Sequence, residues 1–201
     1  MNTQFVPPPE RDIAEAPWMP EKSASLLRSL LKDSDHFLEY GAGGSTRLAA
    51  TMPLQTLTSV ESDRAFLQSV DYHIQKDAPR IDWRPIFVNI GPTALLGYPK
   101  TLKETDRWAR YALTPWSQNT DPDLILIDGR FRVACALAAA RHATPGTRVF
   151  VDDYGLRPWY WNIEDYLKPV TKAGRARLFE VAEHPPESLK LALKRAIRDP
   201  R

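Results

Sequence analysis

Five times along this chain a short apolar run ends in polar residues and gives way to a turn or a helical pattern. The runs are HFLEYGAGG, LQTLTSVESD, WRPIFVNIG, DLILIDG and TRVFVDDYG. At their ends stand Glu39, Glu61, Asn89, Asp128, Asp152 and Asp153. Strands alternating with helices specify a mostly parallel, doubly wound sheet with helices on both faces. DLILIDG and TRVFVDDYG are nearly continuous in apolar residues, as strands covered on both faces must be. In such sheets a ligand binds beyond the carboxyl ends of the strands, where the strand order reverses. The polar end residues are therefore the first candidates for a site. A single acid in such a place serves equally well as a helix cap. Recurrence at successive ends argues for a shared site.

The glycines sharpen the expectation. Of 9 in the chain, Gly41, Gly43 and Gly44 fall in the stretch EYGAGGST, directly after the first run. Glycine is destabilising in regular structure and is used where the backbone turns tightly or lets something approach. Glu61 follows Gly41 by 61 − 41 = 20 residues, at the tip of the next run. An acid there accepts hydrogen bonds from ribose hydroxyls while the glycine turn admits the ligand to the backbone. Nicotinamide dinucleotides and S-adenosylmethionine both suit this geometry. The dinucleotide fingerprint asks for a third glycine where Thr46 stands.

The 201 residues are expected to form a single domain. Residues 1–20, with Pro7-Pro8-Pro9, read as an extended proline-rich arm. A helix follows from Leu26, Leu27, Leu30 and Leu31 in EKSASLLRSLLKDSD. Residues 91–123 are irregular and aromatic (Tyr98, Trp108, Tyr111, Trp116) and read as an insertion, a lid with a helix around KETDRWARYAL. ARLFEVA reads as a strand, and so does SLKLAL by its Leu189, Leu191, Leu193 alternation, a helix from Ser188 being the alternative. Trp108, Trp116, Trp159, Tyr160 and Trp161 are expected to pack in the core or lid, a subset walling an acceptor pocket. The four histidines show no metal spacing.

Composition excludes other classes. With 27 basic and 25 acidic residues the net charge is +2, too balanced for a dedicated nucleic-acid binder. The single cysteine, Cys135 in VACALAAA, excludes an internal disulfide and reads as buried packing. No basic-then-apolar leader opens the sequence and no apolar run approaches the ~20 residues that cross a membrane. A cytoplasmic location with no membrane partner is expected, and a homodimer is left open.

In their order, FLEYGAGGST, LTSVESD, DLILIDG and GTRVFVDDYG resemble the successive motifs of class I S-adenosylmethionine-dependent methyltransferases, over Pro20 to the C-terminus. The resemblance implies the Rossmann-like fold of that family, with a C-terminal antiparallel strand. It also implies S-adenosylmethionine as cofactor and a small-molecule acceptor, methylated at a hydroxyl. Glu39, Gly41, Ala42 and Gly43 would line the methionine half of the cofactor, and Ser45 and Thr46 would hydrogen-bond its carboxylate. Glu61 would hold the ribose and Asn89 would lie near the adenine. LIDG followed by VDDYG further resembles the metal-dependent O-methyltransferases of the catechol and macrocin types. That implies Mg²⁺ on Asp128, Asp152 and Asp153, with Asp128 catalytic. The macrocin type has a second acid where Arg130 stands, and the catechol type a lysine near Phe131 and Arg132. Pairing of Arg130 and Arg132 with the acids is thus the alternative to a metal. An NAD(P)-dependent oxidoreductase and a non-catalytic binding module of the same fold are the competing functions.

Overall fold

The computed structural model describes residues 11–118 and 120–201. Its strands are β1 (His36–Tyr40), β2 (Thr56–Glu61), β3 (Asp82–Phe87), β4 (Leu124–Ile127), β5 (Arg148–Val151), β6 (Leu167–Ala173) and β7 (Ala176–Val181). They form one sheet in the order β3-β2-β1-β4-β5-β7-β6. Only β7 runs against its neighbours, pairing antiparallel with β5 and β6. The order reverses between β1 and β4, which pair in parallel. The expected doubly wound architecture is observed, with its antiparallel strand near the C-terminus.

Helices α1 (Glu21–Lys32), α2 (Gly44–Ala50), α3 (Arg64–Asp77), α4 (Thr105–Leu113), α5 (Arg132–His142) and α6 (Leu189–Ala196) complete the fold. All of β4 is buried. Each large aliphatic side chain fully buried there contributes about 1.5–3 kcal/mol. Helix α5 is buried along almost its whole length through Ala134 to Ala140, Cys135 included. Small side chains let it sit close to the sheet and beneath α6. No helix among the described residues is long and apolar enough to cross a membrane.

Three expectations change. SLKLAL forms α6, not a strand: Leu189 and Leu193, four apart, face the core while Leu191 is 53% exposed. Strand β6 was not foreseen, because only Leu167 of LKPVTKA is buried and an edge strand open on both faces has no apolar alternation. In the 91–123 segment, α4 drives Trp108, Tyr111 and Ala112 into the core, and the Trp108 indole donates to the Ile90 carbonyl at 3.2 Å. That part is a structural layer. Residues 91–104, before α4, carry one short 3₁₀ turn, Leu95–Gly97.

Pro7-Pro8-Pro9 lie outside the described residues. Residues 11–20 are irregular and are tied down by side chains. Ile13 packs with Val70 and Ile74. Arg47 donates to the Ile13 carbonyl and pairs with Asp77 at 2.7 Å. A Cβ added to Gly44 would lie 2.2 Å from the Ala16 carbonyl oxygen. The arm therefore crosses directly over the start of α2.

Candidate functional site

At the switch point the turn after β1 meets the turn after β4 backbone to backbone. Gly41 has φ 99°, and a Cβ on it would stand 2.7 Å from the Gly129 Cα. Its N–H donates to the Val60 carbonyl at 2.9 Å, which ties the turn to β2. Gly129 is equally confined, since a Cβ there would lie 2.3 Å from the Tyr111 hydroxyl. The glycines are thus required by the meeting of three segments at the point where this fold class binds ligands.

Glu39 sits beneath this turn, fully buried. Ser45 donates to it at 2.6 Å, Ser59 from the facing strand at 2.7 Å, and Thr46 as well. Burial pushes its carboxyl up to about 7, and the three hydroxyls offset this only in part. Ser45 and Thr46 are therefore turned inward. The expectation that they reach a cofactor carboxylate is corrected: their hydroxyls are taken by Glu39, and they brace the turn. Ala42 is half-buried beside Ile13 and Val70. Gly43 donates its N–H to the Thr46 hydroxyl at 2.8 Å.

Glu61 ends β2. Its Oε1 accepts from the Ser62 and Asp63 amides at 2.6 and 2.9 Å and from the Ser62 hydroxyl at 3.3 Å. No donor among the described residues reaches Oε2. Burial raises this carboxyl too. Asn89 is exposed in the loop two residues beyond β3, where its Oδ1 accepts from the Gly91 amide at 3.0 Å. It caps its own turn.

The acids after β4 and β5 do converge, but on arginines. Arg132 is buried and joins the two strand ends: it donates to the Gly129, Asp152 and Asp128 carbonyls and lies 3.0 Å from Asp128 Oδ1. Asp152, fully buried, is gripped by Arg175 at 2.6 and 3.0 Å. Asp153 meets Arg157 at 2.7 Å and Arg175 at 2.8 Å. Asp128 is raised to about 6, chiefly by burial, with Arg132 lowering it and the two neighbouring acids raising it. Three carboxylates matched by three guanidinium groups leave little charge for a divalent cation to neutralise. No group of three or more His, Cys, Asp or Glu among the described residues has metal-binding geometry. The Mg²⁺ expectation on Asp128, Asp152 and Asp153 does not fit.

Of the two arginines foreseen as partners, Arg132 fills that role and Arg130 does not. Arg157 and Arg175 were missed. Arg157 had a faint signal, four residues after Asp153; Arg175 had none, because the tip of the β6–β7 hairpin brings it to β5. Among the described residues three non-glycine positions have positive φ, namely Leu96 (60°), Phe131 (55°) and Asp153 (59°). All lie in segments that follow β3, β4 or β5, and such strain gathers at functional sites. Of the aromatic set, Trp108 and Tyr160 are core, Trp116 stacks on His142, and Trp159 and Trp161 are exposed. A cavity lined by His36, Thr58, Arg84 and Asp121 lies toward the amino ends of the strands, away from this edge.

No family model matches the chain, and no curated protein does. Solved structures do. An O-methyltransferase from Bacillus cereus in complex with SAH is 14% identical, with a TM-score of 0.54 over 81% of this chain and 82% of its own. An RNA methyltransferase from Salinibacter ruber, with S-adenosyl-L-homocysteine, is 16% identical, with a TM-score of 0.50 over 85% of this chain and 97% of its own. At such identities they establish the fold alone. A methyltransferase-like protein from Silicibacter pomeroyi is 34% identical, with a TM-score of 0.85 over 92% of this chain and all of its own. At that level, and with the glycine turn and strand-end acids in place, the chain belongs to the family of class I S-adenosylmethionine-dependent methyltransferases.

Proposed function

We propose that this protein transfers a methyl group from S-adenosylmethionine to a hydroxyl of a small molecule, without a metal. The observation that carries the cofactor reading is Glu61, which spends one oxygen on backbone amides and keeps the other unpartnered beside the glycine turn. The ribose of the cofactor would take that oxygen. Gly41, Ala42 and Gly43 would admit the methionine half, and Glu39 would act from behind the turn. Asn89 would flank the adenine through its loop. When bound, the cofactor supplies an electrophilic methyl on a sulfonium; the C–S bond breaks as the acceptor oxygen bonds to carbon, and the electron pair stays on sulfur.

Asp128 would take the acceptor's hydroxyl proton. Its side chain is 29% exposed, and Arg132 fixes one of its oxygens from behind. A carboxyl raised to about 6 is ionised at neutral pH yet is a better base than an ordinary aspartate. On this metal-free reading, removal of the hydroxyl proton falls to Asp128 as general base. The exposed rings of Trp159 and Trp161 would serve the acceptor side, and residues 91–104 would cover it.

Replacing Glu61 tests the reading. Glu61→Ala removes a charge-assisted acceptor and is expected to weaken S-adenosylhomocysteine binding by about 1.5–3 kcal/mol, roughly 10- to 150-fold. An unchanged dissociation constant by calorimetry would leave Glu61 a capping acid and remove the main support for the cofactor site.

A further inference from the structure

Arg130 is the arginine that the acid network leaves out. The residue is only 7% exposed, and its Nε and Nη1 meet no acceptor among the described residues. Its neighbours at this edge are all paired: Arg132 with Asp128, Arg157 with Asp153, Arg175 with Asp152, and Arg201 with Asp199. Neither Asp128, held by Arg132, nor Glu61, which keeps one oxygen without a donor among the described residues, pairs with Arg130. N–H groups of a guanidinium sealed from water without a partner are strongly unfavourable. A fold that keeps one has placed it for something that arrives.

The surroundings say what kind of group that is. The guanidinium lies over the Tyr98 ring, 4.1 Å from its centroid. The ring takes none of the guanidinium's N–H hydrogen bonds, and through two such bonds arginine binds a planar or tetrahedral oxyanion. Gly97, at φ 73°, brings the chain over Arg130 Cγ and the Ser62 hydroxyl, each 3.6 Å from where its Cβ would be. With Gly91 and Leu96 also at positive φ, the covering segment has several unusual backbone positions.

We propose that the acceptor is an anion, a small carboxylate or phosphate monoester, whose charged end binds Arg130 against Tyr98 while its hydroxyl is presented to Asp128, two residues earlier. The proposal rests on the methyltransferase reading and deepens it by naming the acceptor's charge.

Calorimetry on the protein loaded with S-adenosylhomocysteine tests it, with 4-hydroxybenzoate, phenyl phosphate and neutral phenol as probes. At least one anion is expected to bind about tenfold or more tightly than phenol, and the better of the two identifies the carboxylate or the phosphate. Arg130→Gln should lose that preference while S-adenosylhomocysteine affinity stays within about threefold; Arg130→Lys, which keeps the charge, should retain only part of it. Anions no tighter than phenol, or an Arg130→Gln protein that keeps the preference, would overturn the proposal. So would an equal loss of S-adenosylhomocysteine affinity, which would assign Arg130 to the cofactor's own carboxylate. A wild type that binds anions but no S-adenosylhomocysteine would overturn the methyltransferase reading instead, and the acceptor assignment with it. Should Arg130→Gln fail to fold, the Arg130→Lys result decides in the same way.

Discussion

The two halves of the carboxyl edge satisfy their acids by different means. On the β1–β2 side, Glu39 and Glu61 are held by hydroxyls and backbone amides, with no cation among the described residues in contact. On the β4–β5 side, Asp128, Asp152 and Asp153 are each held by arginine. The first arrangement raises both carboxyls by burial, Glu39 to about 7, and leaves a Glu61 oxygen free for a ligand's hydroxyls. The second cancels charge within the protein. The first half is thus suited to binding a neutral, hydroxyl-rich moiety, and the second to holding a rigid frame around one reactive group, Asp128.

The largest expected effect falls on the arginine side. Arg175→Ala strands Asp152, which is fully buried, and should cost about 3–5 kcal/mol of stability in urea unfolding. The double variant Asp152→Asn with Arg175→Ala should recover part of that loss. A cost below ~1 kcal/mol would mean that the pair is solvated and that the contrast between the halves is weaker than drawn.

The hydroxyl side should show itself through pH. The folded state holds Glu39's proton up to about 7, whereas the unfolded chain releases it near 4.5. The raised carboxyl therefore contributes stability that is complete below pH 4.5 and is lost as the pH rises through about 7. The slope within that window is at most about 1.4 kcal/mol per pH unit. Glu39→Gln cannot ionise and should flatten this part of the profile. Identical pH dependence in the two proteins would show that Glu39 is not the buried acid described.

A smaller effect lies where the halves meet. Asp128 should titrate near 6 by carboxyl NMR, and methyl transfer should rise as the pH passes through that value, since the base must be ionised. Titration near 4 would mean that Arg132 dominates over burial and would make Asp128 an ordinary acid.

The same contrast explains what could be read in advance. The first half is local: the glycine turn, Glu39 and Glu61 lie within a strand–helix–strand unit whose spacing and periodicity appear directly in the chain. Even there the hydroxyls of Ser45 and Thr46 were assigned outward, because a buried strand acid competes for them and burial has no sequence signature. The second half is assembled over distance. The Asp152–Asp153 pair was visible, but Arg175 reaches it from a hairpin whose outer strand, LKPVTKA, lacks the alternation that marks a half-buried strand. Arg130 was legible as a departure from the resemblance. That it pairs with no described acid depended on where Tyr98 and Arg132 lie.

The most direct test of a metal-free S-adenosylmethionine site at this edge is calorimetric titration of the wild type with S-adenosylhomocysteine, once with EDTA and once with Mg²⁺. The result expected is one-to-one binding of the same affinity in both, with NAD giving none. Binding that requires Mg²⁺, or no binding in either buffer, would contradict it.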